Sequence, residues 1–194
     1  MKKLVLLATA LVAALSMSAQ IKVGEQVVSG TLGLINNVYG SYYDSKFPPI
    51  TASYEYGLLE NAWGVDGLSV GVGGVIAYTG AKDIYEHYDG SEYGYKYSSI
   101  IIAAKGYAHY DVLGMFDMKV DNLDTYAALT LGYNIGTSKQ WGDWYYATGS
   151  AASRAGLVYG FQIGARYWFM DNLAANLELG YGLATINVGV SYRF

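Results

Sequence analysis

Apolar and polar residues alternate one by one along most of the chain beyond residue 27. Between residues 186 and 194, for example, every second side chain is Ile, Val, Tyr or Phe, and the residues between them are Asn, Gly, Ser and Arg. A period of two places successive side chains on opposite faces of a β-strand. The alternation recurs in eight segments, near 27–38, 53–58, 68–77, 99–109, 129–136, 156–169, 176–181 and 185–194. The chain is therefore predicted to form eight strands, each with one apolar and one polar face.

The polar faces of these strands consist largely of small residues. Gly, Ser, Thr and Asn fill them, together with four isolated charges, Glu55, Lys105, Arg166 and Glu178. A soluble barrel places large apolar side chains inside and polar ones outside, whereas a transmembrane barrel presents apolar side chains to lipid and polar ones to the lumen. Full apolar rows and small polar rows favour the second arrangement. We predict an all-β protein, a closed antiparallel up-and-down transmembrane β-barrel of about eight strands.

The composition agrees with a membrane protein that crosses the bilayer with strands. Hydrophobic residues make up 53% of the chain and charged residues 14%. After Leu15, however, no apolar stretch approaches the ~20 residues that a spanning helix needs. Cysteine is absent, which excludes disulfides and thiolate metal sites, and the net charge of −4 does not suit a nucleic-acid partner.

The N-terminus has the three parts of a secretory signal peptide. Lys2 and Lys3 precede an apolar run at residues 4–15, and small residues follow up to Ala19. The run is too short to span a membrane as a helix, so a retained anchor helix is the weaker interpretation. We predict cleavage after Ala19, which divides the chain into a signal peptide at 1–19 and a barrel domain at 20–194.

The connections between strands predict an orientation. Outer-membrane barrels alternate short periplasmic turns with longer extracellular loops. With both termini periplasmic, the long connections at 39–50, 80–96 and 137–154 face outward with a tight hairpin at 182–185, and the turns at 61–67, 113–124 and 170–173 face inward. Aromatic residues in or beside the outer connections are candidates for binding a partner: Tyr42, Tyr43, Trp141, Trp144, Tyr145 and Tyr146.

The last strand carries a motif that resembles a known family. The chain ends on Phe194 with apolar residues, including Tyr192, at alternate positions before it. This ending resembles the closing-strand signal of bacterial outer-membrane proteins, and the layout resembles the eight-stranded OmpA transmembrane domain, OmpX and the opacity-type porin-family barrels. The resemblance implies that the barrel-assembly machinery reads this strand, that it pairs with the first strand, and that the protein resides in the bacterial outer membrane among lipid and lipopolysaccharide.

Two histidines and one acidic segment are the candidates for chemistry. His87 lies among Asp83, Glu86, Asp89, Ser91 and Glu92. Proximity in sequence does not create a catalytic triad, and the spacing is not that of a known calcium loop, so a solvated loop is the favoured interpretation. His109 falls on the lumen side of its strand and is expected to be a hydrogen-bonded interior residue. We expect no enzyme activity, no cofactor and no metal site.

The four lumen charges lead to a hypothesis about function. Their heights in the predicted strands suggest that Arg166 pairs with Glu178 and that Glu55 pairs with Lys105, because an unpaired charge in a narrow barrel is costly. Paired charges would plug the lumen and leave a structural or surface-interaction role for the loops, including binding of an extracellular ligand. The alternatives are a narrow porin-like channel or an OmpW-type carrier of small hydrophobic solutes. An outer-membrane enzyme is a weaker third hypothesis.

Overall fold

The chain folds into a closed ring of eight antiparallel strands. The computed structural model describes residues 20–40, 43–113, 120, 122–142 and 152–194, so the predicted signal peptide lies outside the described residues. Each strand pairs with its neighbours in the chain, and the last pairs with the first, as predicted. The strands are β1 Gln26–Gly33, β2 Ser45–Leu59, β3 Leu68–Glu86, β4 Glu92–Tyr110, β5 Leu123–Gly142, β6 Ala152–Met170, β7 Leu173–Tyr181 and β8 Ile186–Arg193. No helix among the described residues is long and apolar enough to cross a membrane.

The outer surface of the ring is apolar on every side. Large apolar side chains are exposed on all eight strands, among them Leu32, Tyr54, Ile76, Ile102, Leu131, Phe161, Leu179 and Val190. Soluble monomers rarely expose a continuous apolar surface of this extent. It is the surface that contact with lipid requires, and closure of the ring satisfies the backbone hydrogen bonds that lipid cannot satisfy. The alternation therefore predicts correctly which rows of side chains point outward.

The strands differ in length, and this corrects the predicted loops. β3 and β4 remain paired from Leu68↔Tyr110 to Glu86↔Glu92, so most of the segment predicted as a loop at 80–96 is strand. β5 likewise extends to Gly142. The prediction failed here because a ladder of backbone hydrogen bonds needs no apolar side chains, so the alternation ends before the strand does.

The two ends of the barrel differ. The "terminal end" carries residues 20–26 and Phe194, and the "far end" carries the turns at 87–91 and 182–185. β1 ends at Gly33, earlier than the predicted 38. The segment after it bends into the barrel, where Val38 packs against buried apolar residues of the interior. The Asn36 side chain accepts hydrogen bonds from the N–H groups of Val38 and Tyr39 and so stabilises the bend.

Candidate functional site

A cluster of charged side chains occupies the terminal half of the lumen. Glu55, Lys105, Arg166 and Glu178, which the sequence places on the lumen face, are all at most 6% exposed. The structure adds two residues, since His109 is fully buried and Asp124 is 1% exposed in the same cluster. The six side chains come from β2, β4, β5, β6 and β7, and we call them the lumen network.

The predicted pairings within the network are wrong. Arg166 Nη2 donates to Glu55 Oε2 at 2.6 Å, and Lys105 Nζ donates to Glu178 Oε1 at 2.6 Å. In the β6–β7 ladder Glu178 lies opposite Gly164, two residues from Arg166, which is about 7 Å along a strand. β2 and β6 are four strands apart in a ring of eight, so Arg166 and Glu55 face each other across the lumen.

Glu55 does not pair with Lys105 because its side chain is directed elsewhere. Both residues lie opposite Gly73 of the intervening strand, so their backbones are about two strand spacings apart, roughly 10 Å. The Glu55 carboxylate instead lies over Gly71, where a Cβ atom would come within 2.3 Å of Oε1. The absence of a side chain at Gly71 allows Glu55 to reach His109.

His109 joins two carboxylates. Its Nε2 is 2.6 Å from Glu55 Oε1 and its Nδ1 is 2.8 Å from Asp124 Oδ1. An ionised carboxylate only accepts hydrogen bonds, so between two of them both ring nitrogens must donate and the ring is an imidazolium. The lumen network then contains three carboxylates and three cations and is electrically balanced. With both nitrogens occupied, His109 has no lone pair to activate a nucleophile or bind a metal.

Aromatic rings enclose the cations of the lumen network. The Arg166 guanidinium lies 4.6 Å from the centre of the Tyr126 ring, and Lys105 Nζ lies 5.1 Å from that of Tyr107. Such contacts stabilise cations most when water is excluded. The hydroxyl of Tyr126 also donates to Glu178 Oε1 at 2.8 Å. The rings therefore stabilise the network and fill the space around it.

Buried apolar clusters lie on both sides of the network along the barrel. Toward the far end, Val75, Ala77, Ile101, Ala103 and Leu183 form a buried cluster. Toward the terminal end, a second cluster consists of Ile21, Val27, Trp168 and Ala174. Between the network and Leu183 remains a cavity of 20 Å³, enough for about one water molecule.

Arg193 covers the terminal mouth of the barrel. Its guanidinium lies 4.2 Å from the centre of the Trp168 ring, and its Nε is 3.1 Å from Glu25 Oε1. It also donates to the backbone oxygen of Asp171 at 2.8 Å. The closing strand thus contributes to the ring and, through Arg193, to contacts across its terminal end.

The two residues of the proposed closing-strand signal lie on the outer face. β8 pairs with β1 from Val27↔Arg193 to Gly33↔Asn187, which confirms that the last strand pairs with the first. Tyr192 and Phe194 are exposed, with their ring centres 5.0 Å apart. Their role as an assembly signal stays a prediction.

The acidic segment around His87 forms a turn. The His87 N–H donates to the Ser91 backbone oxygen, and Asp89 accepts from the N–H and the hydroxyl of Ser91. These hydrogen bonds from Ser91 lower the pKa of the Asp89 carboxyl. The described residues contain no group of three or more His, Cys, Asp or Glu side chains placed to hold a metal ion.

The predicted aromatic binding residues are only partly described. Tyr42, Trp144, Tyr145 and Tyr146 lie outside the described residues. Tyr43 packs against other tyrosine rings at the far end. The ring of Trp141 lies 3.4 Å from Lys82 Nζ, so this residue contributes to the fold as well as to the surface.

Sequence reasoning missed His109 and Asp124 as network members for different reasons. The alternation predicts correctly that His109 lies on the lumen side, but it does not indicate its partners. The sequence predicts a turn that includes Asp124, whereas β5 begins one residue before it. Extending the alternation of β5 back from Thr130 would have placed Asp124 on the lumen side, because the two are separated by an even number of residues.

Comparisons with known proteins find likeness in structure alone. No family model matches the chain, and no curated protein matches it. A de novo designed transmembrane β-barrel superposes with a TM-score of 0.47 at 16% identity, covering 90% of this chain and 98% of that chain. The N-terminal barrel of Pseudomonas aeruginosa OprF gives 0.47 at 13% identity, covering 89% and 98%. Ail of Yersinia pestis gives 0.45 at 17% identity, covering 89% and 100%.

The class of the protein follows from its own architecture. A closed ring of eight antiparallel strands with an apolar outer surface and a polar interior is the architecture of a small outer-membrane β-barrel. This is the class that the alternation and the closing strand predict. The structural matches have TM-scores below 0.5 and identities below 25%, so the class rests on the architecture of this chain and not on them.

Proposed function

We propose that the protein is a non-conducting outer-membrane barrel with a structural or surface-binding role. In this proposal both termini are periplasmic, residues 1–19 are removed, and the far end of the barrel contacts the surroundings of the cell. The single observation that carries it is the packing inside the barrel, where paired charges lie between two clusters of buried apolar side chains. A barrel without an open path acts through its outer surface and its ends.

The layered interior supports closure of the lumen. An ion would have to cross two apolar clusters, and apolar constrictions exclude ions by dewetting. Between the clusters it would meet charges that are already paired at 2.6 Å. The narrow channel and the carrier of hydrophobic solutes both need an accessible lumen, so this packing weighs against both alternatives.

The length of β3, β4, β5 and β6 supports a role for the far end. Each of these strands has 19 or 20 residues, whereas a membrane-spanning strand needs about ten. At the far end these strands therefore extend beyond the apolar outer surface of the ring. The turn at its tip is fully exposed at Tyr88.

Single-cysteine labelling on whole cells tests the orientation. The chain contains no cysteine, so each variant carries one reactive thiol. Tyr88→Cys is expected to react with a membrane-impermeant maleimide on intact cells, because it lies in a far-end turn. Asn172→Cys, in a turn at the terminal end, is the matched control and should react only after the outer membrane is permeabilised. The reverse pattern would overturn the proposed orientation.

A further inference from the structure

The barrel wall has a notch at its far end. β6 begins at Ala152 but pairs with β7 only from Phe161 onward, because β7 ends at Tyr181. In the described part of the chain, residues 155–160 of β6 therefore pair with β5 on one side and with no strand on the other. At the far end β7, β8 and β1 end early, whereas β2 to β6 extend further.

A cleft of 280 Å³ opens in this notch. It lies between the segment that follows β1 and the far-end parts of β5 and β6. Its lining includes Asn37, Tyr39, Tyr43, Asn134 and Val158. Gly156 also lines it, and a Cβ atom at this position would have no heavy atom within 4 Å. The volume is close to the lower limit of typical small-molecule sites, about 300 Å³.

The lining of the cleft combines tyrosine rings, two asparagine amides and aliphatic side chains such as Val38 and Val158, without charge. The rings of Tyr39 and Tyr43 meet edge to face, with their centres 5.3 Å apart. The side-chain oxygen of Asn134 is buried and has no hydrogen-bond partner among the described residues. Leaving such an oxygen unpaired costs about 1–3 kcal/mol, and a ligand that donates a hydrogen bond to it would remove this cost.

These features indicate the chemical class of a ligand. A ring whose C–H face packs on the tyrosine and aliphatic side chains and whose hydroxyl groups donate to an amide oxygen satisfies all the lining groups. An apolar solute would leave Asn134 unpaired, and sites that contain a buried hydrogen-bonding group discriminate against ligands that cannot pair with it. The absence of charge on the described lining residues disfavours anionic ligands.

We propose that this cleft binds a neutral saccharide unit. The proposal rests on the proposed function, since the cleft faces the outside only if the far end does. The saccharide can belong to a glycolipid of the same leaflet or be free in solution. Both sources present the same hydroxyl-bearing ring to Asn134 and the tyrosines.

Saturation-transfer difference NMR with a neutral disaccharide tests the proposal. Cellobiose is added to the full-length mature barrel refolded in an amine-oxide detergent, because glycoside detergents would compete. Saturation transfer to its ring protons is expected with the wild-type protein and is expected to be lost in Gly156→Leu, whose side chain fills the cleft. Gly106→Leu is the matched control, because Gly106 also has open space around it but lies on the outer face of β4. Folding of each variant is checked by heat-dependent migration.

A second variant and a second probe decide the remaining outcomes. Asn134→Leu keeps a similar volume and should also lose the cellobiose signal, which covers the case that Gly156→Leu does not fold. Equal signals in the wild type and both cleft variants, or no signal at all, would overturn the proposal. Transfer to naphthalene instead of cellobiose, abolished by Gly156→Leu, would overturn it in favour of an apolar ligand.

The membrane composition separates the two sources of saccharide. If a glycolipid is the ligand, the cellobiose signal should fall when lipopolysaccharide replaces phospholipid in nanodiscs; if the ligand is free, the signal should persist. The cysteine labelling above keeps the two proposals distinct. Binding of cellobiose with the far end facing the periplasm would refute only the surface role, and no binding with the far end outside would refute only the cleft.

Discussion

Removing the positive charge of Lys105 is expected to destabilise the barrel more than removing Lys105 and Glu178 together. Lys105 Nζ donates to Glu178 Oε1 at 2.6 Å, and both side chains are at most 7% exposed. Lys105→Met keeps an unbranched side chain only one atom shorter and leaves the Glu178 carboxylate buried without its cation. In the double variant with Glu178→Gln no buried charge is left without its partner.

The expected changes in the free energy of unfolding follow from the geometry of the Lys105–Glu178 pair. At 2.6 Å and an effective dielectric constant of about 20, the attraction is about 6 kcal/mol. Desolvation costs several kcal/mol for each ion, so the complete pair contributes little net free energy. Removing one partner of a buried pair costs about 3–5 kcal/mol. Because Tyr126 still donates to Glu178, we expect ~3 kcal/mol for Lys105→Met and a change within about 1 kcal/mol for the double variant.

Urea-induced unfolding of the barrel from phospholipid vesicles measures these free energies through tryptophan fluorescence. The matched control is the cycle of Lys105→Met with Glu55→Gln, whose side chains do not pair. Its two effects should be closer to additive, because Glu55 contacts Arg166 and His109 instead. Equal coupling in the two cycles, or equal stability of Lys105→Met and its double variant with Glu178→Gln, would refute the pairing.

Three further outcomes are expected. Planar-bilayer recordings of the refolded wild-type protein should show no stable conductance, because apolar clusters lie on both sides of the lumen network; a large steady conductance would contradict the filled lumen. Phe194→Lys should lower the yield of inserted barrel on gels that resolve heat-dependent migration while export continues, and Phe194→Tyr should preserve insertion; unchanged yield in Phe194→Lys would remove the closing-strand interpretation. Mass spectrometry of the membrane-extracted protein should find Gln20 as the first residue, and a chain that begins at Met1 would exclude cleavage.

The pairing of the lumen charges could not be predicted from the sequence. Arg166 and Glu178 sit near the same turn in the chain, but a register shift between Trp168 and Met170 displaces them along the ladder. Arg166 meets Glu55 because closure of eight strands brings β2 opposite β6. Register and closure are properties of the whole ring, so pairings across the lumen cannot be read from positions along single strands.

The relative lengths of the strands at the far end also depend on the tertiary structure. Toward their far-end tips β3 and β4 mix charged residues, glycines and tyrosines without alternation, yet the ladder continues to Glu86↔Glu92. The notch beside residues 155–160 exists because β7 ends while β6 and β5 continue, which is a difference between neighbouring strands and not a feature of any one of them.

The sequence by itself determined the class of fold, the number of strands and the direction of most side chains within the eight predicted segments. It could do so because alternation with a period of two is a local property of each strand, and because lipid outside requires apolar rows that remain visible in the sequence. Only the tertiary structure decided which charges pair, that His109 and Asp124 join them, and where the wall opens. Those features depend on register, ring closure and relative strand length, which arise when distant segments pair.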